Sequence, residues 1–363
     1  MSSSAKHGTS ISPSGTGLAS NTNTSSTDPA ETTSSSSYFL PELIPLVTSR
    51  LMTLQDFFAL RGTCRTYRAL LPLSSSNLAF QAPLLLVPHK ASSSEALLHI
   101  PLRRILRFRL PRTHLAHHDP SNAEFYSSSC RVAIEDSDAV GSHRELRICH
   151  LLTGEQVRLP DPLKFYEGII FAGDLILTFN RYHDTVHYCR IGDNHWRAAG
   201  CDEGYRLCNL ISLKATLYGL VLPNYCLAVV ELDNSSVVLS FLGGELSAET
   251  VQNSSMLRLA ECHGELLLIS AVRYPVGYQV FRWQSGDSKW VRTTTLGGCS
   301  LFFNILQFAG CLGADHPAVR GNCLYIIKYN GQCIMYSLVD GSSHELVADY
   351  PGRPRAWVLP SIC

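Results

Sequence analysis

The sequence predicts a chain with two unlike folded parts: a short three-helix segment, then an all-β, propeller-like domain, with a disordered tail ahead of both. Three observations predict it. Residues 1–37 lack large apolar side chains almost entirely, and residues 39–71 carry helical start and stop signals. From about residue 80 onward the chain is short β-type runs punctuated by turn residues.

The tail, residues 1–37, holds 13 Ser and 7 Thr, with Lys6, Asp28 and Glu31 as its formal charges. It cannot bury enough surface to offset its ordering entropy. An organellar transit peptide would carry Arg and an amphipathic period, and neither is present.

Residues 38–72 form the predicted helical segment. Pro41 suits a first helical position, and Glu42 lies in the favourable first turn. Leu43, Val47 and Leu51 recur at spacings of four, which predicts one apolar stripe. Thr53 and Asp56 resemble a capping box opening a second helix with Phe57 and Leu60 inward. Gly62 then stops it, and Thr63 is the expected cap of a third helix bearing Cys64, Tyr67 and Leu71. Three such helices cannot enclose a core of their own. The apolar side chains left over predict a docking surface.

Residues 80–360 repeat a strand, a tight polar turn and a second strand. Leu97–Pro101 with Ile105–Leu110 is a degenerate copy, followed by hairpins starting at Leu146, Thr185, Leu227, Tyr278 and Cys333. The starts are separated by 49, 39, 42, 51 and 55 residues, the period of propeller blades. Gly173, Gly219, Gly264 and Gly321 are each expected at the mouth of an upstream buried strand. The alternative for so long an all-β chain is a pair of β-sandwiches. Trp196, Trp283 and Trp290 are expected in blade cores.

Composition excludes several classes of function. The chain has 363 residues, 30 basic and 30 acidic, with a pI near 7.2, so it lacks the basic excess that nucleic-acid binding requires. The densest basic run, Arg103, Arg104, Arg107, Arg109 and Arg112, alternates with apolar residues as a solvated strand face would. No apolar run is long enough to span a bilayer, and no signal-peptide core precedes the fold. Thirteen scattered cysteines are expected to be reduced thiols, in a cytoplasmic or nuclear protein.

Leu40-Pro41-Glu42-Leu43, Arg50-Leu51, Asp56-Phe57, Leu60-Arg61 and Cys64-Arg65-Thr66-Tyr67-Arg68 resemble the F-box consensus. Two departures are Tyr67, where that motif usually has Trp, and Pro45 inside the first helix. The remainder resembles the C-terminal kelch-like propeller of plant F-box proteins, at three places. These are Leu152-Thr153-Gly154 with Val157–Pro160, Trp290 with Leu296–Gly298 and Leu301-Phe302, and Gly321–Tyr325 with Tyr336–Gly341. The resemblance implies the substrate-recognition subunit of an SCF-type ubiquitin ligase, docking a Skp-type adaptor and through it a cullin scaffold. Leu40, Pro41, Leu43, Leu51, Leu60 and Cys64 would form the adaptor surface, and the propeller would hold an unknown target protein. Alternatives are an adaptor-independent regulator, such as a kinase inhibitor, and a propeller enzyme or glycan-binding module.

No catalytic, cofactor or metal site is expected. His183, His187 and Cys189 would share one strand face, but they lack a fourth ligand. His117-His118 reads as solvated loop. Gly297-Gly298-Cys299-Ser300 lacks both a nucleophile elbow and an identifiable base, which leaves a glycine turn with a buried thiol.

Overall fold

The computed structural model describes residues 40–51, 53–88, 95–110, 123–137, 144–161, 166–274, 276–305, 307–347 and 353–362. The tail, His117-His118 and Arg112 lie outside them. Residues 39–363 form one compact unit.

Short helices come first: a 3-10 turn Pro41–Leu43, α1 (Ile44–Thr48), α2 (Leu54–Gly62), α3 (Arg65–Leu70) and α4 (Ser75–Leu78). Thr53 caps α2, its hydroxyl accepting from Asp56 N at 3.1 Å and donating to Asp56 Oδ2 at 2.6 Å. The third helix is capped one residue later than expected. Cys64 is its N-cap, with Sγ accepting from Tyr67 N at 3.4 Å, because Thr63 is still α-helical and closes α2. The buried face of α1 also differs from the stripe of Leu43, Val47 and Leu51. Ile44 and Thr48 are buried, whereas Leu43 is exposed and Val47 and Leu51 are half-buried. A five-residue helix makes little more than one turn, so spacing alone cannot choose between two adjacent i, i+4 rows.

The propeller follows as six radial units, antiparallel except within the sixth. The first holds β1 (Leu84–Pro88), β2 (Glu95–His99) and β3 (Arg104–Leu110). The second is β4 (Glu124–Ser128), β5 (Arg131–Ser137), β6 (Arg144–His150) and β7 (Gln156–Arg158). The third is β8 (Gly168–Ala172), β9 (Leu175–Phe179), β10 (Thr185–Arg190) and β11 (Arg197–Gly200). The fourth is β12 (Arg206–Leu213), β13 (Thr216–Leu222), β14 (Cys226–Asp233) and β15 (Ser236–Gly243). Units three and four are joined into one eight-stranded sheet by a single parallel pair, Gly200 with Ser236. Helix α5 (Ala248–Asn253) leads into the fifth, β16 (Ser254–Cys262), β17 (Glu265–Val272), β18 (Gly277–Gln284) and β19 (Lys289–Thr293). The sixth has five strands: β20 (Ser300–Phe303), β21 (Phe308–Leu312), β22 (Cys323–Ile327), β23 (Cys333–Ser337) and β24 (Ser343–Glu345). Here β20 inserts between β21 and β22, parallel to β22. The last strand, β25 (Ala356–Val358), returns to pair with β1 and completes the first blade, which closes the ring.

All six predicted hairpins are present, and each supplies the two outer strands of a blade: β2–β3, β6–β7, β10–β11, β14–β15, β18–β19 and β23–β24. Gly219 departs from its expected place. It lies within β13, not at its mouth, and a Cβ there would meet Leu207 Cδ2 at 2.7 Å and Val230 Cγ2 at 2.8 Å. The turn into β13 is Lys214-Ala215, both with positive φ.

The inner strands β4, β8, β12, β16, β21 and β25 surround the axis. Each leaves one edge of backbone N–H and C=O groups unpaired within its own sheet. Buried amides from other blades satisfy several of them. Leu259 N donates to Asn209 Oδ1 at 2.8 Å, and Gln307 Nε2 donates to Ile169 O. Asn304 secures the closure: its Oδ1 accepts from Trp357 N at 2.8 Å, and its Nδ2 donates to Ser127 Oγ at 2.8 Å. A channel cavity of about 310 Å³ lies between them, lined among others by Ser212, Glu261, Cys311 and Ile362. The C-terminal 3-10 turn Pro360–Ile362 reaches into it. A Cβ on Gly310 would meet the side-chain ends of Ile362 and Leu359, so the glycine gives that turn room to approach.

Candidate functional site

Every connection in an antiparallel meander reverses the chain, so the two kinds of connection emerge at opposite rims. First-to-second and third-to-fourth strand turns define one rim, called lower here. Second-to-third turns and blade-to-blade crossings define the upper rim.

The helical segment sits at the lower rim, against the first two blades. Ile44, Leu54, Phe57, Tyr67, Leu71 and Leu78 share one buried cluster with Leu84, Leu97, Leu106 and the lower-rim residues Cys130, Leu151 and Leu152. Gln81 ties the elements together: its Nε2 donates to Leu51 O at 2.7 Å, and its own carbonyl lies 3.1 Å from His316 Nε2. Arg104 Nη2 reaches Gln55 Oε1 at 3.4 Å.

The residues expected to dock an adaptor divide between surface and core. Leu40 is 66% exposed, Leu43 43%, and the neighbouring Leu46, which the motif did not single out, 62%. Cys64 is exposed but spends its sulfur on the α3 cap. Leu51 and Leu60 are half-buried against the shared cluster. Pro41 opens the 3-10 turn. The departure Tyr67 is buried in that same cluster.

The upper rim carries a feature that the sequence analysis missed. Tyr182, Tyr225 and Tyr274 occupy the second-to-third strand connections of the third, fourth and fifth blades, and Tyr329 the equivalent β22–β23 connection of the sixth, which precedes the outer hairpin and opens on the same upper rim. Tyr182 is 70% exposed, Tyr274 83% and Tyr329 66%, with Val276 beside Tyr274 also exposed, while Tyr225 is half-buried. In three of the four a cation precedes the ring: Arg181, Arg273 and Lys328. Arg181 Nε also pairs with Glu167 Oε2 at 2.7 Å. A cavity of about 240 Å³ opens here, lined by Phe125, Asn304, Tyr329, Arg353 and Arg355 among others. The signal was present in the sequence as a tyrosine just after β9, β13, β17 and β22, but the loop lengths differ and hid the repeat.

His187 and Cys189 lie on β10, whereas His183 lies in the turn before it, its N–H donating to Asn180 O at 3.1 Å. Cys189 is wholly buried and pushed up to about 12 by burial, while burial first and His183 second push His187 down. Cys299 does follow a glycine turn, with Gly297 and Gly298 both at positive φ. The absence of a base beside it is corrected by the fold. His263, 36 residues upstream, places Nε2 2.7 Å from Cys299 Sγ. Among the described residues, Cys262, His263 and Cys299 gather their ligand atoms within 4.8 Å of one another. Cys311 Sγ stands 3.4 Å from Cys262 Sγ, and its donation brings Cys262 down to about 7, while burial pushes Cys299 up to about 11. The expectation of reduced thiols fails at Cys130, which is disulfide-bonded; eleven other described cysteines are free.

Trp283 and Trp290 face one another across β18 and β19 with centroids 5.1 Å apart, half-buried between the fourth and fifth blades. Trp196 is half-buried, its indole N–H donating to Pro160 O at 3.2 Å. Among the described residues, no helix is long and apolar enough to cross a membrane.

No curated protein matches the chain. Among solved structures, a chain of a nidogen/laminin complex aligns at 14% identity and a TM-score of 0.44, over 78% of this chain and all of that one. TolB from Acinetobacter baumannii aligns at 11% identity and 0.44, over 81% of this chain and 72% of its own. Hsv2 from Kluyveromyces marxianus aligns at 11% identity and 0.35, over 59% and 67%. The model of the KIB1-4 beta-propeller family matches residues 97–346. That span runs from β2 to the end of the sixth blade, and the chain belongs to the KIB1-4 beta-propeller family.

Proposed function

We propose that this chain is the substrate-recognition subunit of an SCF-type ubiquitin ligase, acting in the cytoplasm or nucleus, with no catalytic group of its own. The observation that carries the reading is the opposition of two unlike surfaces. Exposed leucines project from the helices at the lower rim, and cation–tyrosine pairs line the upper rim. The leucines suit an apolar groove on a Skp-type adaptor. Tyrosines beside Arg or Lys suit a protein target with an acidic surface, since both residue types make interface hot spots. The mechanism is proximity: the target is held near a charged ubiquitin-conjugating enzyme, and other subunits of the cullin scaffold perform the isopeptide chemistry.

The test is co-purification with a Skp-type adaptor. Leu43→Asp with Leu46→Asp, both exposed, is expected to weaken adaptor capture at least about tenfold, since each charge must be desolvated at the interface. Tyr182→Ala, Tyr274→Ala and Tyr329→Ala together are expected to leave that capture unchanged. Failure of the native chain to bind any such adaptor would remove the ligase reading.

A second reading rests on the shared cluster. The helices bury Ile44, Leu54, Phe57 and Leu71 against the propeller, so they also serve as its lower cap. In an adaptor-independent regulator, such as a kinase inhibitor, capping would be their whole role.

A further inference from the structure

We infer that Cys262, His263 and Cys299, with Cys311 as the fourth donor, form a binding site for a thiophilic metal ion of the zinc type. The four come from three separate places in the sequence, and the propeller brings them to one spot at the lower rim. Cys262 ends β16, His263 lies in the turn to β17, Cys299 precedes the inserted strand β20, and Cys311 lies on the inner strand β21.

Three donors are already gathered, whereas Cys311 touches Cys262 but lies outside the three-residue cluster and must close on the ion. Zinc takes four thiolate and imidazole donors at about 2.0–2.3 Å, which places tetrahedral donor atoms about 3.5–3.8 Å apart. Here the Cys262 and Cys311 sulfurs are 3.4 Å apart, and Cys262, His263 and Cys299 lie within 4.8 Å of one another. The His263 nitrogen and Cys299 sulfur, at 2.7 Å, must open to admit an ion, and His263 is exposed and free to swing. The donor set is soft and nitrogen–sulfur, which selects zinc over magnesium or calcium.

Local structure positions each donor. His263 and Gly264 are the two central residues of the β16–β17 turn, at φ 52° and 78°. Two positive φ values are what a tight hairpin turn requires, and asparagine-glycine usually supplies them. The Gly264 N–H donates to Glu261 Oε1 at 2.7 Å, which secures the turn. The loop before Cys299 is held by Asn322, whose Oδ1 accepts from Leu296 N at 2.7 Å and Gly298 N at 3.1 Å. Asn322 is thus a positioning residue for Cys299.

The ion would join the fifth blade to β20 and β21 of the sixth. That is where the blade departs from a plain meander, with β20 inserted parallel to β22. Binding must displace the thiol protons to the buffer, so affinity falls as pH falls.

The experiment uses the full purified chain with Zn²⁺ and with Co²⁺ as a spectroscopic probe. The expected result is one equivalent of Zn²⁺ retained through dialysis, and a thiolate-to-cobalt charge-transfer band on Co²⁺ substitution. Cys299→Ser is expected to abolish the band. His263→Gln, a surface change that leaves the core intact, is expected to weaken Co²⁺ binding at least about tenfold, a typical loss for a disturbed metal site. Cys201→Ser, elsewhere in the propeller, is expected to change nothing. The inference is overturned by absence of stoichiometric metal, or by equal uptake in the His263 and Cys299 variants. It is also overturned if peptide mapping of the isolated chain finds Cys262 and Cys311 joined to each other as a disulfide.

Discussion

Replacing Trp357 with Ala is expected to destabilise the propeller by about 3–5 kcal/mol, the usual cost of emptying a buried large aromatic site. Trp357 is fully buried at the centre of the closing strand β25. Its ring meets Phe302 edge-on at 5.0 Å between centroids and Tyr325 at 6.0 Å, while Phe302 and Tyr325 stack at 4.7 Å. The substitution therefore removes the hub of a three-ring cluster joining the first and sixth blades. It also loosens the strand whose backbone N–H donates to Asn304 Oδ1. Trp357→Phe is expected to cost much less. It keeps a ring, and it removes an indole N–H that has no acceptor among the described residues. Equilibrium unfolding in urea, with the slope unchanged, would measure both. A loss below about 1 kcal/mol for the alanine variant would show that ring closure does not depend on this residue.

Phe57→Ala is expected to cost a similar amount, about 3–5 kcal/mol, and to act on the whole unit. Phe57 is fully buried on α2, edge-on to Phe58 at 5.7 Å, within a cluster that includes Leu84, Leu97, Val132 and Val358 of the first two blades. Were the helices an autonomous module, the loss would be confined to them. Because the cluster is continuous, the helical signal and the tryptophan fluorescence of the propeller should move to lower denaturant together. If the helices melt separately and the propeller midpoint stays put, the shared core is not what holds the segment in place.

The outer halves of the blades were legible because they are local. Tyr278–Trp283 and Trp290–Arg292 are joined by Ser285-Gly286-Asp287, so pattern and turn chemistry lie within fifteen residues of one another. The inner strands carried no comparable signal. β12, Arg206–Leu213, and β16, Ser254–Cys262, are buried with both faces packed, so their apolar residues do not alternate. The insertion of β20 between β21 and β22 is a long-range choice of partner that no periodicity announces.

The candidate sites divide in the same way. Leu40, Leu43 and the helical segment could be named from consecutive residues, yet α1 is too short for its spacing to say whether Leu43 or Ile44 turns inward. The tyrosine rim needed the blade register before Tyr182, Tyr225, Tyr274 and Tyr329 could be seen as equivalents. Cys299 looked partnerless because its neighbour His263 is 36 residues away, in another blade.

The sequence alone determined the order of a helical segment and a radial β domain, the six outer hairpins, and the lack of net charge, all of which rest on local propensity and composition. Tertiary structure decided which helical residues face the solvent, which rim carries the tyrosines, how β25 closes the ring, and which thiols meet an imidazole. The physical reason is common to all four: burial and proximity are properties of chain segments far apart in sequence, set only when the blades pack around their axis.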